Sequence, residues 1–108
     1  MDLIEHTAAA GAIQVETEGR HTVIVLVGEI DGALRDEASA SMSQALVAGS
    51  PLVIDTTLTT FIDSTGIAFV LQLARAASEA GMAVTLRDPH RVLLDVLEMI
   101  GLGGELPV

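Results

Sequence analysis

The sequence predicts a small α/β domain with a mixed, mostly parallel sheet and its helices mainly on one face. Three observations carry that prediction. Runs rich in β-branched residues, Thr22 to Val27, Leu52 to Asp55 and Met82 to Leu86, recur at spacings wide enough for a helix between them. The intervening stretches place apolar residues three and four apart, the helical period. The 108 residues suit a single domain, taken as 1–108, which at this size buries roughly two thirds of its unfolded surface.

In chain order, Met1 to Gly11 reads as a loose leader carrying His6. Ile13 to Thr17 alternates with period two, as in an edge strand with one wet face. Glu18-Gly19-Arg20-His21 is a turn signal, so this strand and the next form a hairpin. Thr22 to Val27 is apolar on both faces and predicts a strand buried on both sides. Asp31-Gly32 opens a helix with Leu34, Ala38, Met42, Ala45 and Leu46 inward, stopped by Gly49-Ser50-Pro51. Asp31 has two compatible readings, as a helix cap and as a solvent-facing carboxylate.

The centre of the chain is the strand Leu52 to Asp55, a Thr-rich bridge ending Phe61-Ile62, and the tetrad Asp63-Ser64-Thr65-Gly66 before a long helix. Asp63 or Ser64 can cap that helix, whose inner face is read as Ile67, Val70, Leu71, Ala74 and Ala77. Phe69 falls on the outer side of this reading, either as a partner contact or tucked against Phe61 or a neighbouring helix. Met82 to Leu86 is the next strand, parallel to the last. Asp88-Pro89 reads as a cap followed by the first helical residue, and Val92, Leu93, Val96, Leu97 and Ile100 stripe a final helix. Gly103 to Val108 leaves room for a frayed edge strand, so the predicted order is β-β-α-β-α-β-α.

Composition excludes several classes of function. There is no cysteine, hence no thiol nucleophile, disulfide framework or Cys-ligated zinc, which fits a cytoplasmic location. Fifteen acidic residues against five arginines give a net charge of −10, unsuited to nucleic acid or an anionic membrane. The opening residues lack a signal-peptide pattern and no apolar run reaches membrane-spanning length, so a soluble chain is expected. Without lysine there is no phosphate loop, and His6, His21 and His90 lie where none serves Ser64 as a base. Neither an enzyme nor a metal site is expected.

Two motifs then carry a resemblance. Gly28-Glu29-Ile30-Asp31 closes the second strand, and Phe61-Ile62-Asp63-Ser64-Thr65-Gly66-Ile67 leads into the central helix. With the apolar segment Val92 to Gly103, they resemble STAS domains over about residues 12–103, in particular bacterial anti-sigma-factor antagonists. The resemblance implies a protein that binds an anti-sigma factor with Ser/Thr kinase activity, releases a sigma factor, and is switched off by phosphorylation at Ser64. It implies that Asp31, Asp63, Thr65 and Gly66 belong to the partner-binding surface, to which Phe69 is added as a contact. A Ser phosphatase would reverse the switch, ATP would belong to the kinase, and no cofactor is needed. A monomer or weak dimer is expected. Two other readings stay open: a kinase-independent STAS subunit of a transport or stress-sensing assembly, and a small-ligand enzyme using Ser64.

Overall fold

Strand β2 (His21–Ile30) is the template on which the sheet assembles. It pairs antiparallel with β1 (Ala12–Glu18) through a turn at Gly19, whose φ of 59° suits glycine. It pairs in parallel with β3 (Leu52–Asp55) through Thr22 to Val25, and then with β4 (Thr59–Ile62) through Gly28 to Ile30. Strand β5 (Val84–Arg87) lies parallel beside β3, giving the order β1-β2-β3-β5 with β4 against the end of β2. This computed structural model describes residues 11–106. The leader from Met1 to Ala10, with His6, and the last two residues lie outside them.

Helix α1 (Arg35–Ala48) follows a 3₁₀ turn over Gly32–Leu34, and α2 (Ser64–Glu79) and α3 (Val92–Met99) complete the fold. One core holds Ile24, Leu26, Leu52, Ile54 and Leu86 from the sheet against Ala45, Val70, Leu73 and Leu97 from the three helices. The helices therefore share one face, as predicted. On the other face Val23, Val25 and Val53 form a smaller cluster, so β2 is buried on both sides. The guanidinium of Arg87 crosses that second face, 3.1 Å from Asp55 on β3 and 3.1 Å from Glu18 on β1. Three strands, β5, β3 and β1, are tied together by one side chain that spans β2.

Four expectations need correction. The Thr-rich bridge contains β4, which is only four residues long and whose pairing with β2 shifts register between Gly28 and Glu29. Too short to show a period, and displaced by the shift, it gives no alternation to read. The final helix starts at Val92, not Pro89, because Arg91 takes a left-handed conformation (φ 56°) and breaks the run. Asp88 still caps that helix, from farther upstream: its Oδ2 accepts from the N–H groups of Leu93 and Leu94 at 3.1 and 2.8 Å, while Oδ1 accepts from the Thr56 hydroxyl. Residues 103–106 form turns and a bend, with no strand among them. Phe69 points inward and is 7 % exposed, with Leu73 fully buried beside it in the core. The inner face of α2 is thus rotated toward Phe69 and Leu73, because both α1 and the end of β2 need apolar surface to pack against.

Candidate functional site

The end of β2 and the start of α2 are joined through one residue. Asp63 is extended (φ −99°, ψ −174°), and its backbone N–H donates to the carbonyl of Ile30 at 3.1 Å. Its own carbonyl accepts from Ile67 at 2.9 Å, and its carboxylate Oδ1 accepts from the Gly66 N–H at 3.0 Å. All three functions of Asp63 are engaged in holding the helix start against the sheet, the arrangement expected of a strong N-cap. Ser64 follows as the first residue of α2, with its side chain exposed.

Glycine is required at position 66 by crowding. A Cβ there would lie 2.6 Å from Ile62 Cγ1 and 2.9 Å from the Ile30 carbonyl oxygen, too close for any other residue without movement. Asp31, next after Ile30, caps the 3₁₀ turn by accepting from the Ala33 N–H at 3.0 Å. It is only half-buried, and it shares a small recess with Thr65 and Gly66. Both readings of Asp31 therefore hold together.

Beyond Thr65 the recess opens into a groove of about 310 Å³ between α1 and α2, lined by Arg35, Ala38, Met42, Ala68, Phe69 and Gln72 among others. Of the residues expected to form the site, Asp31, Asp63, Ser64, Thr65 and Gly66 converge where β2 ends and α2 begins. Phe69 departs from the expectation: it lines the groove as part of the core rather than as a projecting contact. The exposed aromatic is Phe61, at 53 %. Its exposure was hidden in the sequence because Phe61 lies in the strand that periodicity missed. Arg35, a basic side chain in the same groove as Thr65, also escaped notice, since on a helix face it reads as an ordinary solvated residue.

Chemically, the site offers an exposed hydroxyl at a helix N-terminus, edged by the carboxylates of Asp31 and Asp63. Among the described residues no group of three His, Asp or Glu side chains is placed to hold a metal ion. No helix among them is long and apolar enough to cross a membrane.

The sheet order, with the helices on one face, makes this a mixed α/β domain of the fold seen in an anti-sigma factor antagonist. The STAS family model described as "Mlab, STAS domain" matches residues 13–108, and the chain belongs to this family. Among solved structures it is similar to the anti-sigma factor antagonist SpoIIAA in its unphosphorylated form, at 26 % identity and a TM-score of 0.70, over 88 % of this chain and 85 % of that one. Similarity to the phosphorylated form of the Bacillus cell fate determinant SpoIIAA is 28 % identity and a TM-score of 0.70, over 88 % of each chain. An anti-sigma factor antagonist from Mycobacterium paratuberculosis shares the fold at 23 % identity and a TM-score of 0.67, over 92 % of this chain and 85 % of that one. Comparison with curated protein sequences finds no match.

Proposed function

We propose that this chain is a cytoplasmic anti-sigma-factor antagonist that binds an anti-sigma factor with Ser/Thr kinase activity and is switched off by phosphorylation at Ser64. The observation that carries this reading is the position of Ser64: exposed, first in α2, and directly after an Asp63 whose every polar group is engaged. A kinase can reach the hydroxyl without disturbing the cap. Phosphate adds about −1.5 to −2 charge, which a helix N-terminus accommodates and the adjacent carboxylates of Asp31 and Asp63 do not. The fold survives the modification, and a partner surface fitted to the neutral serine does not. That SpoIIAA has been solved in both phosphorylated and unphosphorylated forms supports the same switch here. A Ser phosphatase resets it, and the chain itself needs no cofactor.

The test is ATP-dependent modification in a lysate of the native cell, followed by mass spectrometry of the recovered protein. Phosphate on Ser64, absent from Ser64→Ala, is the expected result; phosphate only on another residue refutes the assignment. A second reading is favoured by the description of the matching family model, which names Mlab and not an antagonist. In that reading the chain is a kinase-independent STAS subunit of a transport or stress-sensing assembly, and Ser64 stays unmodified while the same surface docks a partner.

A further inference from the structure

Between Asp55 and Ser64 the chain turns inward at every third residue. Thr56 is fully buried and donates to Asp88, Thr59 is 5 % exposed and donates to the Leu26 carbonyl at 2.7 Å, and Ile62 belongs to the core. Thr57, Leu58, Thr60, Phe61 and then Ser64 face outward. Leu58 and Phe61 are 58 % and 53 % exposed. They lie against successive residues of β2, since the Gly28 N–H donates to the Leu58 carbonyl at 2.9 Å and Glu29 is the register partner of Phe61.

Two large apolar side chains are thus held in solvent by a backbone pinned from behind. Full burial of such a side chain is worth about 1.5–3 kcal/mol, so the free domain forgoes stabilisation that a bound partner can supply. An exposed residue standing alone on a helix, such as Val47, carries no such implication. Here the apolar pair is rigidly backed, leads directly in sequence to Asp63 and Ser64, and has Glu29 as the register partner of Phe61, in a chain of net charge −10. Rigid aromatic side chains are the type that concentrates interface energy, and a preorganised strip loses little entropy on binding.

We infer that Leu58 and Phe61 are the apolar docking anchor of this domain, fitted to a protein partner that presents an apolar socket edged by Arg or Lys. The inference rests on the antagonist reading and deepens it: docking at Leu58 and Phe61 delivers Ser64 to the kinase.

The probe is the kinase fraction that phosphorylates Ser64 with ATP, purified from the native lysate by following phosphate on Ser64. Its substrates are the wild-type chain, Leu58→Ala, Phe61→Ala, Phe61→Tyr and, as a control on α1, Val47→Ala. In Phe61→Ala the KM rises at least about tenfold, equivalent to about 1.4 kcal/mol, while the rate at saturation is retained. Leu58→Ala shows a smaller rise in KM, whereas Phe61→Tyr and Val47→Ala behave as wild type. Unchanged melting temperatures establish that the fold is kept. A wild-type KM in both alanine variants overturns the docking anchor and leaves the antagonist reading intact. So does a loss confined to the rate at saturation. A wild-type chain that acquires no phosphate on Ser64 overturns the antagonist reading, and the anchor with it.

Discussion

Ile30 and Gly66 meet without room for a side chain between them: a Cβ on Gly66 would stand 2.9 Å from the Ile30 carbonyl oxygen. That same oxygen accepts the Asp63 N–H at 3.1 Å, so the glycine and the cap are two parts of one contact between sheet and helix. Gly66→Ala should therefore push α2 away from β2. Overpacking of this kind costs about 1–3 kcal/mol, read as a lower urea midpoint with unchanged slope. An unshifted midpoint would show that the helix start can move freely, contrary to the contacts described.

Ser64→Asp separates the switch from the scaffold. A carboxylate in the first turn of a helix is neutral or mildly stabilising, so the circular-dichroism spectrum and melting temperature stay near wild type. At a desolvated interface an unpaired charge is costly, and affinity for the anti-sigma factor falls at least about tenfold, or about 1.4 kcal/mol. Ser64→Ala keeps that affinity and loses the phosphorylation. Calorimetric titration of the partner with each variant decides the matter, and equal affinities for the Asp variant, the phosphorylated protein and the wild type would favour the kinase-independent reading.

Asp88 is a concentrated point of stability away from the site. Its carboxylate, 7 % exposed, serves Thr56 at the end of β3 and two N–H groups at the start of α3. Asp88→Ala leaves the Leu93 and Leu94 N–H groups without their acceptor and the Thr56 hydroxyl with only the Arg87 carbonyl at 3.3 Å, and each buried unsatisfied group costs about 1–3 kcal/mol. Asp88→Asn retains an acceptor oxygen and loses less. Chemical denaturation of both variants should rank them wild type, Asn, Ala.

The strap across the outer face makes a pH prediction. The hydrogen bond and charge of Arg87 hold the Glu18 carboxyl below its usual value. Burial pushes the Asp55 carboxyl up, but hydrogen bonds from the Thr57 hydroxyl and N–H and from Arg87 outweigh it and hold it low. Both groups release their protons more readily in the folded chain than in the unfolded one. Their stabilisation is therefore complete above the ordinary carboxylate range and is lost as the pH falls through the folded values. Arg87→Gln should flatten the acid side of the melting-temperature profile, below about pH 5, while changing the profile little in shape near neutrality. An acid limb identical to wild type would mean that the strap carries no linkage.

Much of this architecture was legible because strong periodicity and punctuation coincide. The hairpin, the doubly buried β2, the Gly49 stop and the Asp63 cap each announce themselves by residue type at the right spacing. Asp31, Asp63 and Ser64 were readable singly as cap residues at element ends, and it was the resemblance to STAS domains that joined them with Thr65 and Gly66 into one expected site. What escaped was set by tertiary context. Strand β4 takes its identity from pairing with β2 across a register shift, and Phe69 turns inward because α1 and β2 supply a wall that no helical wheel contains. Arg91 in a left-handed conformation is equally silent in sequence, for nothing in its residue type marks it; in the fold its guanidinium meets Asp95 and Glu98 at 2.8 and 2.9 Å.

The dependence of three strands on β2 has a kinetic consequence. Residues 18 and 21 close the hairpin locally, whereas residue 22 must find 52 and residue 30 must find 62. Long closures of this kind are slow relative to local ones, so the Ser64 turn takes shape only after the distant half of the sheet has arrived. In a partly opened chain the Ile30 carbonyl no longer holds the Asp63 N–H, and the turn at Ser64 loses its anchor to the sheet. Under the proposed phosphorylation of Ser64, an enzyme that reads the turn by its shape would act on folded molecules and pass over opened ones.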